Sequence, residues 1–182
     1  MDATELLESG FEWTAGRIAG VTSEDLDGPT TCGAWNLRQL LEHTVETVTL
    51  LVDAVEVAGA GGAGAVPGGS SWEQAIAGLA ARSRRAWAAP GVMERTFTLS
   101  MGDMSGSVVA SSILLELVVH GWDISQATGE AAAIPDALAV PILDFARGAI
   151  ADDARGDMFA ADLGLGDTPS DRLVGFLGRK PL

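Results

Sequence analysis

The chain has one cysteine, two histidines and only 11 basic residues against 25 acidic ones in 182 positions. A single cysteine, Cys32, excludes an intramolecular disulfide. The shortage of basic residues leaves a formal net charge of −14, which would repel a phosphate backbone or an anionic bilayer. Binding to nucleic acid or to a membrane is therefore not expected. Strand-favouring β-branched and aromatic residues are outnumbered by Ala and Leu, so composition points to a helical protein. The N-terminal "MDATELLESG" lacks the basic and apolar regions of a secretory signal, and a cytoplasmic location follows as the expectation. Uninterrupted apolar runs are missing too. The longest candidate, "VVASSILLELVVHGWDI", is broken by Ser111, Ser112, Glu116 and His120, so it reads as a buried core helix rather than a lipid-facing one.

What is present suits one domain spanning 1–182, with no internal repeat. Leu6, Leu7, Phe11, Ile18 and Val21 recur at roughly helical spacing over 3–20, before the loop "SEDLDGPTTCG". A second helix is expected to start at an Asn36 cap and to run through "LRQLLEHTVETVTLLVDAVEVA" until "GAGGAGAVPGGSS" stops it as a flexible loop. A third is expected from Ser70 or Ser71, with Glu73 closing a capping box on Ser70, and to end at Pro90. Residues 94–100, "ERTFTLS", alternate as a lone short strand or extended connector would. A fourth helix covers about 107–128 and ends at Gly129. A fifth starts at Pro135 and extends through "DALAVPILDFARGAIADDA", with room for a bend at Pro141, and the tail adds one helical turn.

Both histidines fall in these apolar helices. Glu116 and His120 are four residues apart and share one helix face, with Asp123 close to it, while His43 lies beside Glu42 and one turn before Glu46. Facing helices of a bundle can direct such a carboxylate–histidine pair and a third donor from a neighbour onto a divalent metal. A glutamate four residues before a histidine also arises readily by chance in so acidic a chain, and a hydrogen-bonded core histidine is the ordinary alternative. The buried carboxylate of Glu116 nevertheless needs compensation, by a metal, a protonated His120, Arg38 or another basic group.

The segments "TTCGAWNLRQLLEHTV", "LLELVVHGWDISQATG" and the terminal "FLGRKP" resemble a set of actinobacterial DinB-like proteins. More closely, nearly the whole chain is similar to the metal-binding domain of mycothiol-dependent maleylpyruvate isomerase and its single-domain relatives. That resemblance implies an all-α, DinB-like four-helix bundle with an additional C-terminal helix or short helical segments. It further implies a divalent metal, zinc first and nickel second, held by one histidine of the second helix and a paired donor set of a later one. These map onto His43, Glu116 and His120. The pattern departs from the family at Thr31, where a proline is usual, and at Asn36, where an aspartate is common; both positions concern helix capping. In the two-domain isomerase a C-terminal domain contributes to the active site, and this chain ends first, so maleylpyruvate itself is not implied as substrate.

Three protein donors leave a zinc-like ion open to a thiol, water or substrate oxygen, as in catalytic sites. The leading expectation is a metal-dependent S-transferase or isomerase, in which mycothiol or a similar low-molecular-weight thiol adds as thiolate to a small electrophile. Glu46 and Asp123 are candidate acceptors for imidazole N–H groups or proton shuttles. Cys32 reads as a small buried residue rather than a nucleophile, and Trp35 and Trp122 read as packing. Two other readings stay open: a hydrolase or lyase using metal-bound water, and a non-catalytic helical metal-binding module. The expected partners are a small-molecule substrate and a thiol, and a homodimer is allowed.

Overall fold

Capping chemistry sets where the helices begin. In the computed structural model, which describes residues 1–33, 35–58, 71–100, 102–151, 155, 159–164 and 166–182, Asp2 caps α1 (Ala3–Ile18). Its carboxylate accepts from the Thr4 and Glu5 amides at 2.9 Å each, and Glu5 answers by accepting from the Asp2 amide at 2.8 Å. Asn36 and Gln39 make the same reciprocal pair, at 3.0 and 3.1 Å, at the start of α2 (Leu37–Ala58). The glycine-rich loop expected after α2 lies, except for Ser71, outside the described residues.

Helix α3 (Trp72–Trp87) differs from expectation at its first turn. Ser71 is the cap and Gln74 completes the box, whereas Glu73 was expected to close it on Ser70. A box needs its partner three residues after the cap, so once Ser71 caps, Glu73 is one position short. The "ERTFTLS" stretch is likewise not a lone strand. Thr96–Leu99 (β1) pairs antiparallel with Gly102–Ser105 (β2), Phe97 opposite Met104, and among the residues of the two strands only Phe97 is buried. β2 lacks the apolar alternation that marks a half-buried strand, which is why it gave no signal.

Helix α4 (Gly106–Ala127) is the inner element. By length and composition it could cross a membrane, yet 67% of its most apolar window is buried inside the protein. It packs on α1 and α2, and each of these packs on α3, so the four helices close into a bundle. Leu37, Leu40, Leu41, Ile76, Leu79, Ile113 and Leu117 are fully buried at its centre. The fifth helix, α5 (Asp136–Ala149), continues through Pro141 but stops short of the 154 expected, and α6 (Pro169–Phe176) is two turns rather than one. Both lie beyond the bundle, α5 against α4 and α6 against α5. The chain is thus all-α apart from the small hairpin, with a DinB-like bundle and C-terminal helices added to it.

The seam between α1 and α4 is close because Gly121 allows it. Trp13 donates from Nε1 to the Val118 carbonyl at 3.1 Å, and the Thr14 hydroxyl donates to the Leu117 carbonyl at 2.7 Å. A Cβ on Gly121 would lie 2.5 Å from that same Trp13 nitrogen. We expect Gly121→Ala to destabilise the fold by about 1–3 kcal/mol through overpacking. The exposed α3 residue Gly78 meets nothing within 4 Å, so Gly78→Ala should instead gain about 0.5–1 kcal/mol. Urea denaturation of both variants checks the contrast, and equal effects would refute it.

Candidate metal centre

Two helices and two connecting segments supply the site. His43 comes from α2, and Glu116, His120 and Asp123 from successive turns of α4. His43 and His120 meet edge to face with ring centroids 5.2 Å apart, and both Nε2 atoms point at one carboxylate oxygen. Glu116 Oε2 lies 3.2 Å from His120 Nε2 and 3.5 Å from His43 Nε2. It is buried, yet neither contact has the geometry of a hydrogen bond. All three donor atoms fall within 4.8 Å of one another. Ligands about 2.1 Å from a tetrahedral ion sit roughly 3.4 Å apart, so both separations to Glu116 match edges of such a coordination shell. The donors present therefore fit a divalent cation.

His120 uses its other nitrogen differently. Nδ1 lies 2.8 Å from Asp123 Oδ2, a short hydrogen bond in which the ring donates to a fully buried carboxylate. That fixes the ring orientation and leaves Nε2 to face Glu116 and His43. Asp123 also accepts from the Thr31 hydroxyl, and from Arg179 Nε at 3.0 and 3.1 Å. Burial alone would push the Asp123 carboxyl up, but Arg179, His120 and Thr31 outweigh it and hold it far below its ordinary range. Burial would likewise raise Glu116, and the two imidazoles reverse that. His120 moves the other way: burial favours its neutral form, while Asp123, Cys32 and Glu116 together hold its pKa well above the ordinary value.

The loop before α2 is folded so that Thr31 and Cys32 reach this cluster. Thr30 donates to the Trp35 carbonyl at 2.8 Å and accepts from the Cys32 amide at 3.1 Å, closing the loop beneath an isolated bridge between Pro29 and Asn36. Cys32 then donates to Asp123 Oδ2 at 3.1 Å and lies 3.8 Å from His120 Nδ1. It is half-buried, packed against the edge of the core and also lining the site. Trp35, expected as packing, is 36% exposed and stacks obliquely on His43 with centroids 4.5 Å apart. Trp122 does pack in the core.

Arg179 is the site residue that sequence reasoning missed. It follows α6 through a Schellman turn, in which the Gly178 amide bonds the Gly175 carbonyl and the Arg179 amide the Val174 carbonyl, each at 2.9 Å. Gly178 has φ +74°, and a Cβ there would lie 2.6 Å from the Ala160 side chain, so only glycine turns the chain inward here. A glycine followed by the basic pair Arg179-Lys180 after an amphipathic turn was the available signal. Arg38, considered as a charge partner for Glu116, is instead half-exposed and 3.8 Å from Asp27. Glu46 is exposed on α2 and does not line the cavity beside the cluster. That cavity, about 490 Å³, is walled by Trp35, Leu115 and Val119 on one side and Phe159, Leu177 and Arg179 on the other. Its size suits a small molecule.

Asp123 yields a test of these charges. Because its folded pKa is depressed, its contribution to stability is complete above the unfolded value of about 3.9 and fades as pH falls through the folded one. Asp123→Asn, which strands the buried Arg179, should cost about 3–5 kcal/mol near pH 7. The gap in melting temperature to the parent should narrow in acid below about pH 4. A gap constant from pH 7 to 3 would mean that Asp123 is not ionised in the folded protein.

Residues 7–125 match the family described as the mycothiol maleylpyruvate isomerase N-terminal domain. Two uncharacterized proteins of Mycobacterium tuberculosis, one from strain CDC 1551 / Oshkosh and one from strain H37Rv, are each 31% identical over 172 residues, covering 91% of this chain and 91% of the relative. No solved structure gives a significant match. The matched segment contains His43, Glu116, His120 and Asp123 and stops before Arg179. By that match, the chain belongs to the mycothiol maleylpyruvate isomerase N-terminal domain family.

Proposed function

We propose that this protein is a divalent-metal-dependent thiol transferase or isomerase of the cytoplasm, using mycothiol or a similar thiol on a small electrophilic substrate. The observation that carries the reading is the convergence of His43, His120 and Glu116 on one point with coordination-like spacing at the edge of a cavity. Membership of a mycothiol-related family supports the choice of thiol. A divalent cation held by these three side chains, zinc before nickel, would act as a Lewis acid and favour the thiolate form of a bound thiol.

The chain's own residues do the rest. Asp123 holds the Nδ1 proton of His120, so that the ring cannot rotate away from Glu116. Trp35 packs obliquely against the His43 ring and helps hold it in place. Leu115, Val119, Phe159 and Leu177 offer an apolar wall against which a conjugated or otherwise electrophilic carbon can rest beside the thiol. Reversible thiol addition to a conjugated double bond permits rotation and elimination, which is isomerisation; irreversible addition leaves a thioether, which is S-transfer.

Protein purified without a histidine tag should carry about one divalent ion per chain, and His43→Ala and Glu116→Ala should lose most of it. Turnover of an activated olefin should require both metal and thiol. Thiol-independent turnover with no sulfur in the product would favour the hydrolase or lyase reading, and a parent that takes no metal even on reconstitution would overturn the proposal. Metal binding should also release a proton. Because its surroundings hold the His120 pKa well above the ordinary value, affinity should rise with pH as that proton is lost, by at most about tenfold per unit. Calorimetric titration at several pH values reads this directly, and a flat profile would contradict it.

A further inference from the structure

Two donor clusters share His120. One is His43, Glu116 and His120 through Nε2; the other is Cys32, Asp123 and His120 through Nδ1. A thiol, a carboxylate and an imidazole together would suit a soft divalent ion at least as well as the first set. The second cluster differs from the first in holding a cation already. Arg179 is 9% exposed, its Nε is 3.0 Å from Asp123 Oδ1, and its second guanidinium arm donates to Cys32 Sγ at 3.4 Å. The 2.8 Å between His120 Nδ1 and Asp123 is also a hydrogen-bond length, shorter than the spacing of two ligands on one ion.

We propose that Arg179 is the positioning residue of the metal centre, its guanidinium filling the place of a second cation among Cys32, Asp123 and His120 and thereby directing the metal to His43, Glu116 and His120 alone. The inference rests on the metal reading given above. Two consequences follow from the contacts. Arg179 neutralises and orients Asp123, and Asp123 in turn presents the His120 ring with Nε2 free for the ion. By sitting against Cys32, it also keeps the thiol from competing as a ligand. No other arginine or lysine lines the cavity among the described residues.

Cobalt(II) binding to the full chain tests this, because cobalt bound to a thiolate gives an intense near-ultraviolet charge-transfer band and cobalt bound only to nitrogen and oxygen does not. The parent should bind one cobalt without that band. Arg179→Gln should bind the first cobalt about 10–100-fold more weakly and acquire the band, and the added change Cys32→Ser should remove the band. Arg179→Lys keeps a cation but loses the planar fork, so it should show no band and bind cobalt at least about threefold more weakly than the parent. Circular dichroism and melting temperature report folding in each case. If Arg179→Gln does not fold, Arg179→Lys decides alone: weakened binding with an unchanged melting temperature supports the proposal, and parental affinity overturns it. Folded Arg179→Gln with the parent's affinity and spectrum overturns this inference and leaves the functional reading standing. A parent that binds no cobalt brings down both.

Discussion

The most apolar helix of the bundle carries two carboxylates and an imidazole on one side, and placing that side inside the protein obliges the surroundings to supply positive charge and donors. Asp123 obtains them from Arg179, Thr31 and the His120 ring. Among the described residues, Glu116 obtains two imidazole nitrogens at ion-pair distance from Oε2, with no aligned hydrogen bond to that oxygen. Desolvating a carboxylate costs several kcal/mol unless it is paired, so α4 can be buried only because these partners arrive together from the loop before α2, from α2 itself and from the turn after α6. The positions of those three segments are consequences of this requirement as much as of apolar packing.

The two ends of the site differ in character for this reason. Toward α2 the donors are unsaturated and face a cavity with apolar walls. Toward the Schellman turn they are saturated, each oxygen of Asp123 having protein partners. On the proposed function, ligand chemistry would fall to the first end, and the hydrogen-bonded second end would hold His120, the part common to both. The family model's match spans residues 7–125, so it includes the donors and stops short of the guanidinium that completes the rigid end.

Most of the bundle was legible in the sequence because its helices are long, strongly periodic and bounded by good caps. Residues 37–58 are clear on those grounds, whereas 106–127 stand out as a long apolar run closed by Gly129, with apolar residues all round the helix. Glu116, His120 and His43 were legible as an ionisable set in apolar helices, and four-residue spacing put two of them on one face. Failures came where structure depends on partners distant in sequence or on a one-residue shift. Strand β2 has no pattern of its own and exists through β1. The α3 box moved because Ser71 rather than Ser70 took the cap, and α5 stopped before residue 154. Arg179 is 56 residues from Asp123 and 147 from Cys32, so no local spacing could link them. The partners of Cys32 were hidden for the same reason, since they come from α4 and the turn after α6.

That sequence separation has an entropic meaning. The contact between Cys32 and Arg179 spans 147 residues, and the Trp13–Val118 contact across the α1–α4 seam already spans 105. Because the cost of closing a loop grows only with the logarithm of its length, joining the last turn of the chain to the first loop costs little more than closing the helix seam itself. The left-handed glycine Gly178, which aims Arg179 inward, thus draws the two ends of the chain onto one site at a small additional loss of chain freedom.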